Sequence, residues 1–209
     1  PGGITRTQRR HQTGQRHPPG GNVFGRRRKT GLRKREAHHY QIAQKRPVTM
    51  EDIKAVALDV DGVLTDSTFI WGTNGEEYKK FSFTDVMGIS RASKAGIIFA
   101  LISGEDNVLV DRFAEKMKIA HVYKGIKDKA SALTSFAEKN KLELGQICFM
   151  GDDINDLGAL QLAGFSAAPA NAHESVKRTV NLITTRSGGN GAVRELLDLI
   201  LAKKESGRK

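Results

Sequence analysis

The chain has 209 residues, enough for one domain of ordinary size with appendages, and its formal net charge is +11. Its single cysteine, Cys148, excludes an intramolecular disulfide and argues against a zinc site built from cysteines. No apolar run approaches the roughly 18–20 residues that a membrane-spanning helix needs. We therefore expect a soluble, cytoplasmic protein with no membrane partner.

The positive charge is concentrated at one end of the chain. Residues 1–49 contain 13 Lys and Arg and one acid, Glu36, for a net charge of +12, whereas residues 50–209 carry −1. Binding to a phosphate backbone needs clustered Lys and Arg. A nucleic-acid groove in residues 50–209 is therefore not expected, and a nucleic-acid partner would have to use residues 1–49.

Residues 1–49 lack the apolar pattern of a folded domain. Segments such as Arg26-Arg27-Arg28-Lys29 are too hydrophilic to build a core, so we predict a basic, disordered extension. Two interpretations are open: a basic arm that binds nucleic acid or anionic lipid, or sequence upstream of a true start at Met50. We prefer the second, because the chain begins with Pro1 and the pattern of a folded domain begins directly after Met50.

From Met50 onward, short apolar runs alternate with amphipathic stretches. The runs typical of buried parallel strands are 53–58, 97–102, 120–123, 147–150, 165–168 and 181–184. Helical spacing of apolar residues predicts helices over 108–117, 130–139 and 192–201. This alternation predicts an α/β domain over residues 50–209, with a Rossmann-like, doubly wound parallel sheet covered on both faces.

A segment near residues 67–83 breaks the alternation. Residues 67–71 and 76–83 flank Gly72-Thr73-Asn74-Gly75, a pattern typical of two antiparallel strands joined by an Asn-Gly turn. Because the segment follows the first strand directly, the hairpin would project over the carboxyl edge of the sheet. Ligands of such sheets bind at that edge.

Polar residues follow four of the predicted strands. The first strand leads into Asp59-Val60-Asp61, and the fourth into Gly151-Asp152-Asp153 with Asp156 close behind. Acids at neighbouring strand ends repel one another unless a cation lies between them, and oxygen ligands beside a phosphate favour Mg²⁺. Two further strand ends supply Ser103-Gly104 and the 127–129 segment as phosphate-binding groups.

In this order the four motifs resemble those of the haloacid dehalogenase-like phosphatases. The insert that consists of a hairpin alone, and the segment 188–195, are similar to the small-cap branch that includes octulosonate 8-phosphate and nonulosonate 9-phosphate phosphatases. The resemblance covers about residues 53–201. It implies the family's fold with a β-hairpin cap and no large cap domain, and a Mg²⁺-dependent phosphatase acting on a small phosphate monoester.

The resemblance also implies roles for the acidic residues. Asp59 would be the nucleophile that forms an aspartyl-phosphate, and Asp61 would act as general acid and then as general base. Mg²⁺ would be bound by the Asp59 carboxylate, the Asp61 backbone carbonyl and Asp152. Asp153 and Asp156 would bind the metal through water or, alternatively, cap the helix that follows.

The phosphate would be held by groups from two other strand ends. The resemblance assigns this role to Ser103, Gly104 and Lys129. Lys127 competes with Lys129 for the role, and only the family pattern favours Lys129.

Substrate specificity is assigned to a further set of residues: Asp85, Glu105, Lys116, Arg186 and Arg194. Octulosonate phosphatases usually carry Arg where this chain has Glu105, and an acid there would repel the carboxylate of the sugar acid. Nonulosonate-type members are more similar, with Glu in this place and a lysine about three helical turns later. That lysine is Lys116 here, which is otherwise a solvated lysine of a charged helix. Asp85 approaches the substrate or caps the next helix.

The apolar residues of the hairpin, Phe69 and Trp71, predict a subunit contact, because a lone hairpin is hardly stable in water. Members of the family are commonly tetramers whose hairpins and C-terminal segments close neighbouring active sites. The resemblance therefore implies a homotetramer in which the 186–194 segment reaches the neighbour's substrate. Two alternatives are a phosphatase of broad specificity, since a hairpin encloses little of its substrate, and a nucleic-acid-associated protein that uses residues 1–49.

Overall fold

The computed structural model of the protein describes residues 49–207. The strands in this part of the chain are β1 (Ala55–Leu58), β2 (Ile70–Trp71), β3 (Glu77–Tyr78), β4 (Ile98–Ile102), β5 (His121–Tyr123), β6 (Ile147–Met150), β7 (Phe165–Ala168) and β8 (Leu182–Ile183). The α-helices are α1 (Phe83–Lys94), α2 (Val108–Met117), α3 (Lys129–Lys139), α4 (Leu157–Leu162), α5 (Glu174–Lys177) and α6 (Ala192–Ser206). Short 3₁₀ helices cover Met50–Asp52, Leu144–Gln146 and Ile154–Asp156. The predicted extension over residues 1–49 lies outside the described residues except for Thr49.

Six strands form one parallel sheet in the order β5-β4-β1-β6-β7-β8. β1 lies in the middle, paired with β4 on one side and β6 on the other. The chain thus winds outward from β1 in both directions, which is the predicted doubly wound topology. Among residues 49–207, no helix is long and apolar enough to cross a membrane.

Alternating side chains of the central strands divide the core into two layers. Val56 and Leu58 of β1 join a cluster that includes residues of α1, α2 and α6, while Ala55 and Ala57 join a cluster built with α3 and α4. Successive strand residues point to opposite faces. All four are fully buried, so both faces of the sheet are covered and only the strand ends are left for polar side chains.

The hairpin forms where it is predicted, between β1 and α1, but its strands are short. β2 and β3 contribute two residues each, with Ile70 opposite Tyr78 and Trp71 opposite Glu77. Gly75 takes the left-handed conformation, at φ +84°, that the turn requires. Trp71 is 73% exposed and Tyr78 54%. The pairing ends early because the apolar side chains of the hairpin have little of the body to pack against.

Candidate active site

The carboxyl ends of β1, β4 and β6 and the hairpin surround one cavity, which we call the cleft. It is lined by Asp59, Asp61, Ser67, Thr68, Phe69, Gly104, Glu105, Lys129, Asp152, Asp153 and Asn155. Parallel strands bring their carboxyl ends to one edge. Motifs that lie far apart in the sequence therefore meet here.

The two acids that follow β1 have different surroundings. Asp59 continues the strand: its backbone N–H donates to the Met150 carbonyl at 3.0 Å, and the residue is 5% exposed. The chain then turns at Gly62, whose φ of +93° favours glycine. Asp61 thereby leaves the sheet and lines the cleft above Asp59.

Lys129, at the start of α3, lies between two buried acids. Its Nζ is 2.8 Å from Asp59 Oδ1 and 2.6 Å from Asp156 Oδ1. Lys127 is exposed and lines a different groove. The geometry therefore favours Lys129 over Lys127 as a ligand for an anion in the cleft.

Burial dominates the protonation equilibria of this cluster. Burial, then the charge of Asp156, raises the pKa of Asp59 well above its ordinary value, although Lys129 opposes the shift. Burial, followed by Asp156 and Asp153, raises the pKa of Asp152 to about 7. Burial would lower the pKa of Lys129, but Asp59 and Asp156 outweigh it and the pKa is raised. The acids therefore hold more negative charge than one lysine neutralises.

A cation would relieve this repulsion. One oxygen each from Asp59, Asp152 and Asp156 lies within 4.8 Å of the others. Asp152 Oδ1 is buried and has no hydrogen-bond partner among residues 49–207. Buried polar atoms normally have a partner, and a bound ion can supply one. A set of oxygen donors with one unpaired oxygen fits a hard divalent cation.

The two acids predicted to act behind the metal ligands differ in their contacts. Asp153 is exposed, and its Oδ1 accepts the backbone N–H of Ile154 at 2.7 Å, so it caps the short 3₁₀ helix. Asp156 is fully buried, and its Oδ2 accepts the backbone N–H groups of Asp152 at 2.8 Å and of Asp153 at 3.1 Å. Asp156 therefore supports both this loop and Lys129. Binding of the metal through water stays a prediction for both.

Ser103 and Gly104 form the side of the cleft that follows β4. Ser103 is buried, and its Oγ accepts the backbone N–H of Glu105 at 3.1 Å. A side chain on Gly104 would meet nothing closer than 3.8 Å, so the backbone there is open to the cleft. Glu105 is exposed at the rim of the cleft. The structure thus places Glu105 beside the predicted phosphate-binding groups.

Asp85 lies elsewhere. It is 1% exposed, and its carboxylate accepts the backbone N–H groups of Gly191 at 3.1 Å and Arg194 at 2.8 Å. These contacts cap the first turn of α6, where an acid also interacts favourably with the helix dipole. Burial raises the pKa of Asp85 despite these hydrogen bonds. Asp85 therefore caps α6 and not the next helix, and its approach to a substrate stays a prediction.

The other predicted specificity residues lie outside the cleft of their own chain. Lys116 lies at the far end of α2, roughly 12 Å along the helix from its start, in a groove lined by Phe83 and Arg112. Arg186 and Arg194 line a third groove beside α6. Of the five predicted specificity residues, only Glu105 lines the cleft.

Two contacts that support the cleft are not evident from the sequence. Asn171 Nδ2 donates to the Gly62 carbonyl at 3.1 Å, and its Oδ1 accepts the backbone N–H of Gly188 at 2.7 Å. A side chain on Gly188 would lie 1.8 Å from the Gly62 carbonyl oxygen. From the hairpin, Lys79 Nζ lies 2.5 Å from Asp61 Oδ1. In the sequence, the Gly188-Gly189 pair is a signal of close backbone packing. Nothing in the sequence indicates that Lys79, and not Lys80, contacts Asp61.

Comparisons with known proteins agree with this geometry. A family model described as haloacid dehalogenase-like hydrolase matches residues 73–196. The 3-deoxy-D-manno-octulosonate 8-phosphate phosphatase KdsC of Escherichia coli K12 is 37% identical over 151 residues, which are 72% of this chain and 80% of that protein. The KdsC of Yersinia pestis is 34% identical over 154 residues, which are 74% and 82% of the two chains.

Solved structures show the same similarity. The 3-deoxy-D-manno-octulosonate 8-phosphate phosphatase of Moraxella catarrhalis, in complex with a magnesium ion, a phosphate ion and a KDO molecule, matches with a TM-score of 0.73 and 39% identity over 75% of this chain and 90% of that one. A subfamily III A hydrolase structure from Legionella pneumophila matches with a TM-score of 0.74 and 38% identity over 76% and 87%. The predicted fold, resemblance and enzyme class are confirmed, and the chain belongs to the haloacid dehalogenase-like hydrolases.

Proposed function

We propose that the protein is a Mg²⁺-dependent phosphatase that hydrolyses the phosphate monoester of a sugar acid through an aspartyl-phosphate on Asp59. The observation that carries the proposal is the cluster of buried Asp59, Asp156 and Lys129 with half-buried Asp152, which is short of positive charge and opens on a cleft. Relatives that act on octulosonate 8-phosphate, and the magnesium and phosphate in the Moraxella structure, support it.

In the first step, an Asp59 oxygen attacks phosphorus and the bond from phosphorus to the sugar oxygen breaks. Asp61 donates its proton to the departing alkoxide. In the second step, Asp61 takes a proton from a water molecule as the water oxygen attacks phosphorus. The bond between Asp59 and phosphorus breaks, and inorganic phosphate and the free carboxylate are released.

The remaining groups of the cleft stabilise charge on the phosphate. Lys129 and the backbone at Ser103-Gly104 are positioned to bind its peripheral oxygens as charge redistributes. The Asp59 carboxylate, the Asp61 carbonyl and Asp152 would hold Mg²⁺. The metal would shield the phosphate charge from Asp59 and act as a Lewis acid. Asp156 keeps Lys129 and the 152–156 loop in place.

For the substrate, two candidates are supported by different observations. The relatives act on octulosonate 8-phosphate. Both candidates carry a carboxylate, which Glu105 at the rim of the cleft would repel if it were held next to it. The pattern of Glu105 followed by Lys116, which resembles the nonulosonate-type members, favours a nonulosonate 9-phosphate. We propose the nonulosonate ester as the preferred substrate, with Glu105 as the residue that discriminates.

A panel of esters tests this proposal. We expect a higher kcat/KM for a nonulosonate 9-phosphate than for octulosonate 8-phosphate, and a lower value for p-nitrophenyl phosphate. Glu105→Arg should shift the ratio of the two sugar acids toward the octulosonate by at least ~1.4 kcal/mol, a tenfold change. Lys116→Ala should lower kcat/KM for the nonulosonate more than for p-nitrophenyl phosphate, which has no carboxylate. An unchanged ratio in Glu105→Arg contradicts the assignment, and equal rates on all esters indicate broad specificity.

We also propose that the working form is a homotetramer. The hairpin exposes Phe69, Ile70, Trp71 and Tyr78 by half or more, and α1 adds Phe83 at 71%. Clustered apolar side chains at this exposure are typical of interaction sites. A neighbouring chain there could also bring Arg186 and Arg194 to the cleft.

A further inference from the structure

The hairpin contributes one buried charge, Lys79. Its side chain is 2% exposed, whereas that of the next residue, Lys80, is 64% exposed. The two lysines directly follow β3, and their exposures show that Lys79 turns toward the body of the protein and Lys80 toward solvent. A lysine so deeply buried needs charged partners.

Lys79 has partners on two sides. Its Nζ lies 2.5 Å from Asp61 Oδ1 and 3.8 Å from Glu77 Oε1. Glu77 in turn accepts a hydrogen bond from Asn107 Nδ2 at 2.7 Å, at the start of α2. The Lys79 ammonium also lies 5.2 Å from the centre of the Phe69 ring, which lines the cleft. Lys79 thus connects the hairpin to both the cleft and α2.

The contact leaves the two oxygens of Asp61 unequal. Oδ1 is held by Lys79 at 2.5 Å and, more weakly, by the Thr65 hydroxyl at 3.5 Å. Oδ2 is buried and has no hydrogen-bond partner in the part of the chain that the structure describes. A carboxylate held by an ammonium group at one oxygen and packed at the other has one defined orientation, and proton transfer from it depends on that orientation.

We propose that Lys79 is a positioning residue for Asp61. By binding Oδ1, it fixes the orientation in which the Asp61 carboxyl lines the cleft, where that carboxyl exchanges a proton with the sugar oxygen and later with water, and it ties this orientation to the position of the hairpin. The inference rests on the proposed function, because it assigns Lys79 to the proton-transfer step of that reaction. Lys79 itself does not contact the reacting atoms in this arrangement.

Leaving-group dependence tests the inference. The alkoxide of a sugar needs a proton to depart, whereas p-nitrophenolate leaves without one, and kcat/KM reports the steps up to that departure. Lys79→Met should lower kcat/KM for the sugar-acid phosphate at least ~30-fold and for p-nitrophenyl phosphate less than ~3-fold, because acid catalysis supplies roughly 10²–10⁴. Lys79→Arg keeps the charge and should restore most of the ratio. The matched control is Lys80→Met, which removes the exposed pair with Asp66 and should leave the ratio unchanged.

An equal loss on both esters would show that Lys79 only attracts phosphate, and would overturn the inference. So would the same change of ratio in Lys80→Met.

A second readout does not depend on turnover. Trp71 is the only tryptophan of the chain and lies 5.9 Å from Phe69, ring centre to ring centre, so its fluorescence anisotropy reports hairpin mobility. Lys79→Met and Asp61→Asn should each lower the anisotropy, and the double variant should lower it no further than either. Additive changes would overturn the inference. Absence of phosphatase activity in the wild type would instead refute the proposed function while leaving this readout valid.

Discussion

The two sides of the cleft differ in what they lack: the strand ends lack positive charge, and the hairpin lacks a surface that covers its apolar side chains. At the strand ends, Asp59, Asp152 and Asp156 bury more negative charge than Lys129 neutralises. Across the cleft, the hairpin exposes apolar side chains that nothing in residues 49–207 covers, with Trp71 at 73%. Buried charge calls for a counter-ion, and exposed apolar surface calls for another surface. The comparison supports two proposals, that the strand ends bind a cation and phosphate and that the hairpin contacts a neighbouring chain.

If the strand ends carry the chemistry, removing one charge there should have the largest effect. Asp59→Asn removes the nucleophile and one metal ligand and should lower kcat by ~10³-fold or more, with the fold intact. Phosphate release measures the loss, and circular dichroism checks the fold. Near-normal turnover in a folded variant would place the reaction on another residue.

A pair of glycines compares the two sides directly, because both have positive φ. An alanine side chain at Gly62 would lie 1.9 Å from Asp152 Oδ2, whereas at Gly75 in the hairpin turn it would meet nothing within 4 Å. Both substitutions strain the backbone by roughly 1–2 kcal/mol. Only Gly62→Ala should displace Asp152, so we expect its kcat/KM to fall about 100-fold and that of Gly75→Ala to stay within about 3-fold. Equal losses would show that backbone strain, not the acid cluster, governs activity.

The excess negative charge also predicts how Mg²⁺ and pH act on stability. The pKa of Asp152 is raised from 3.8 to about 7. At pH values between these two, the cation-free folded protein therefore binds more protons than the unfolded chain. It therefore loses stability as pH rises through about 7.

Bound Mg²⁺ removes that loss. We expect the rise in Tm on adding Mg²⁺ to be several degrees larger at about pH 8 than at about pH 5.5. Asp152→Asn should abolish the difference between the two pH values. The same rise in Tm at both would contradict the proposed cation site.

On the hairpin side, a polar substitution should change assembly and not the chemistry. Trp71→Ser removes the most exposed large apolar side chain of the hairpin and should shift the sedimentation mass from tetramer toward smaller species. Leu162→Ser, at the end of α4 and 37% exposed, is the matched control and should leave the mass unchanged. An unchanged mass in Trp71→Ser would place the subunit contact elsewhere.

The smallest effect is expected from deleting residues 1–49, which lie outside both sides of the cleft. The segment has no apolar pattern to pack against the domain, so Tm and kcat/KM should stay within error. Salt-dependent DNA binding, if the full chain has any, should disappear with the deletion. A clear fall in Tm or kcat/KM would show that the segment belongs to the enzyme.

The sequence predicts those features that depend on a single strand and the residues directly after it. The six parallel strands were found because buried strands are continuous apolar runs, and Asp59 and Asp152 were found because they follow β1 and β6. The hairpin was predicted from Asn74-Gly75, but as longer strands, since exposed strands have no core face to extend their pairing.

Contacts between distant segments were not predictable. Asp85 lies next to the N-terminus of α6 in the fold but 106 residues before Gly191 in the sequence, so its role as a cap of that helix could not be predicted. Lys79 and Lys80 are adjacent and chemically identical, and only the path of the chain after β3 decides which one reaches Asp61. By contrast, the separation of Glu105 and Lys116 was predictable, because it follows from the length of α2, and the sequence predicts that helix.

The central claim is that Asp59 becomes phosphorylated during turnover, and rapid acid quenching of the Mg²⁺ enzyme with substrate tests it most directly. Peptide mass spectrometry of the quenched chain should find one phosphate on the peptide that contains Asp59, labile to alkali and absent from Asp59→Asn. Full turnover with no phosphate on Asp59, or with phosphate on another side chain, would contradict the account.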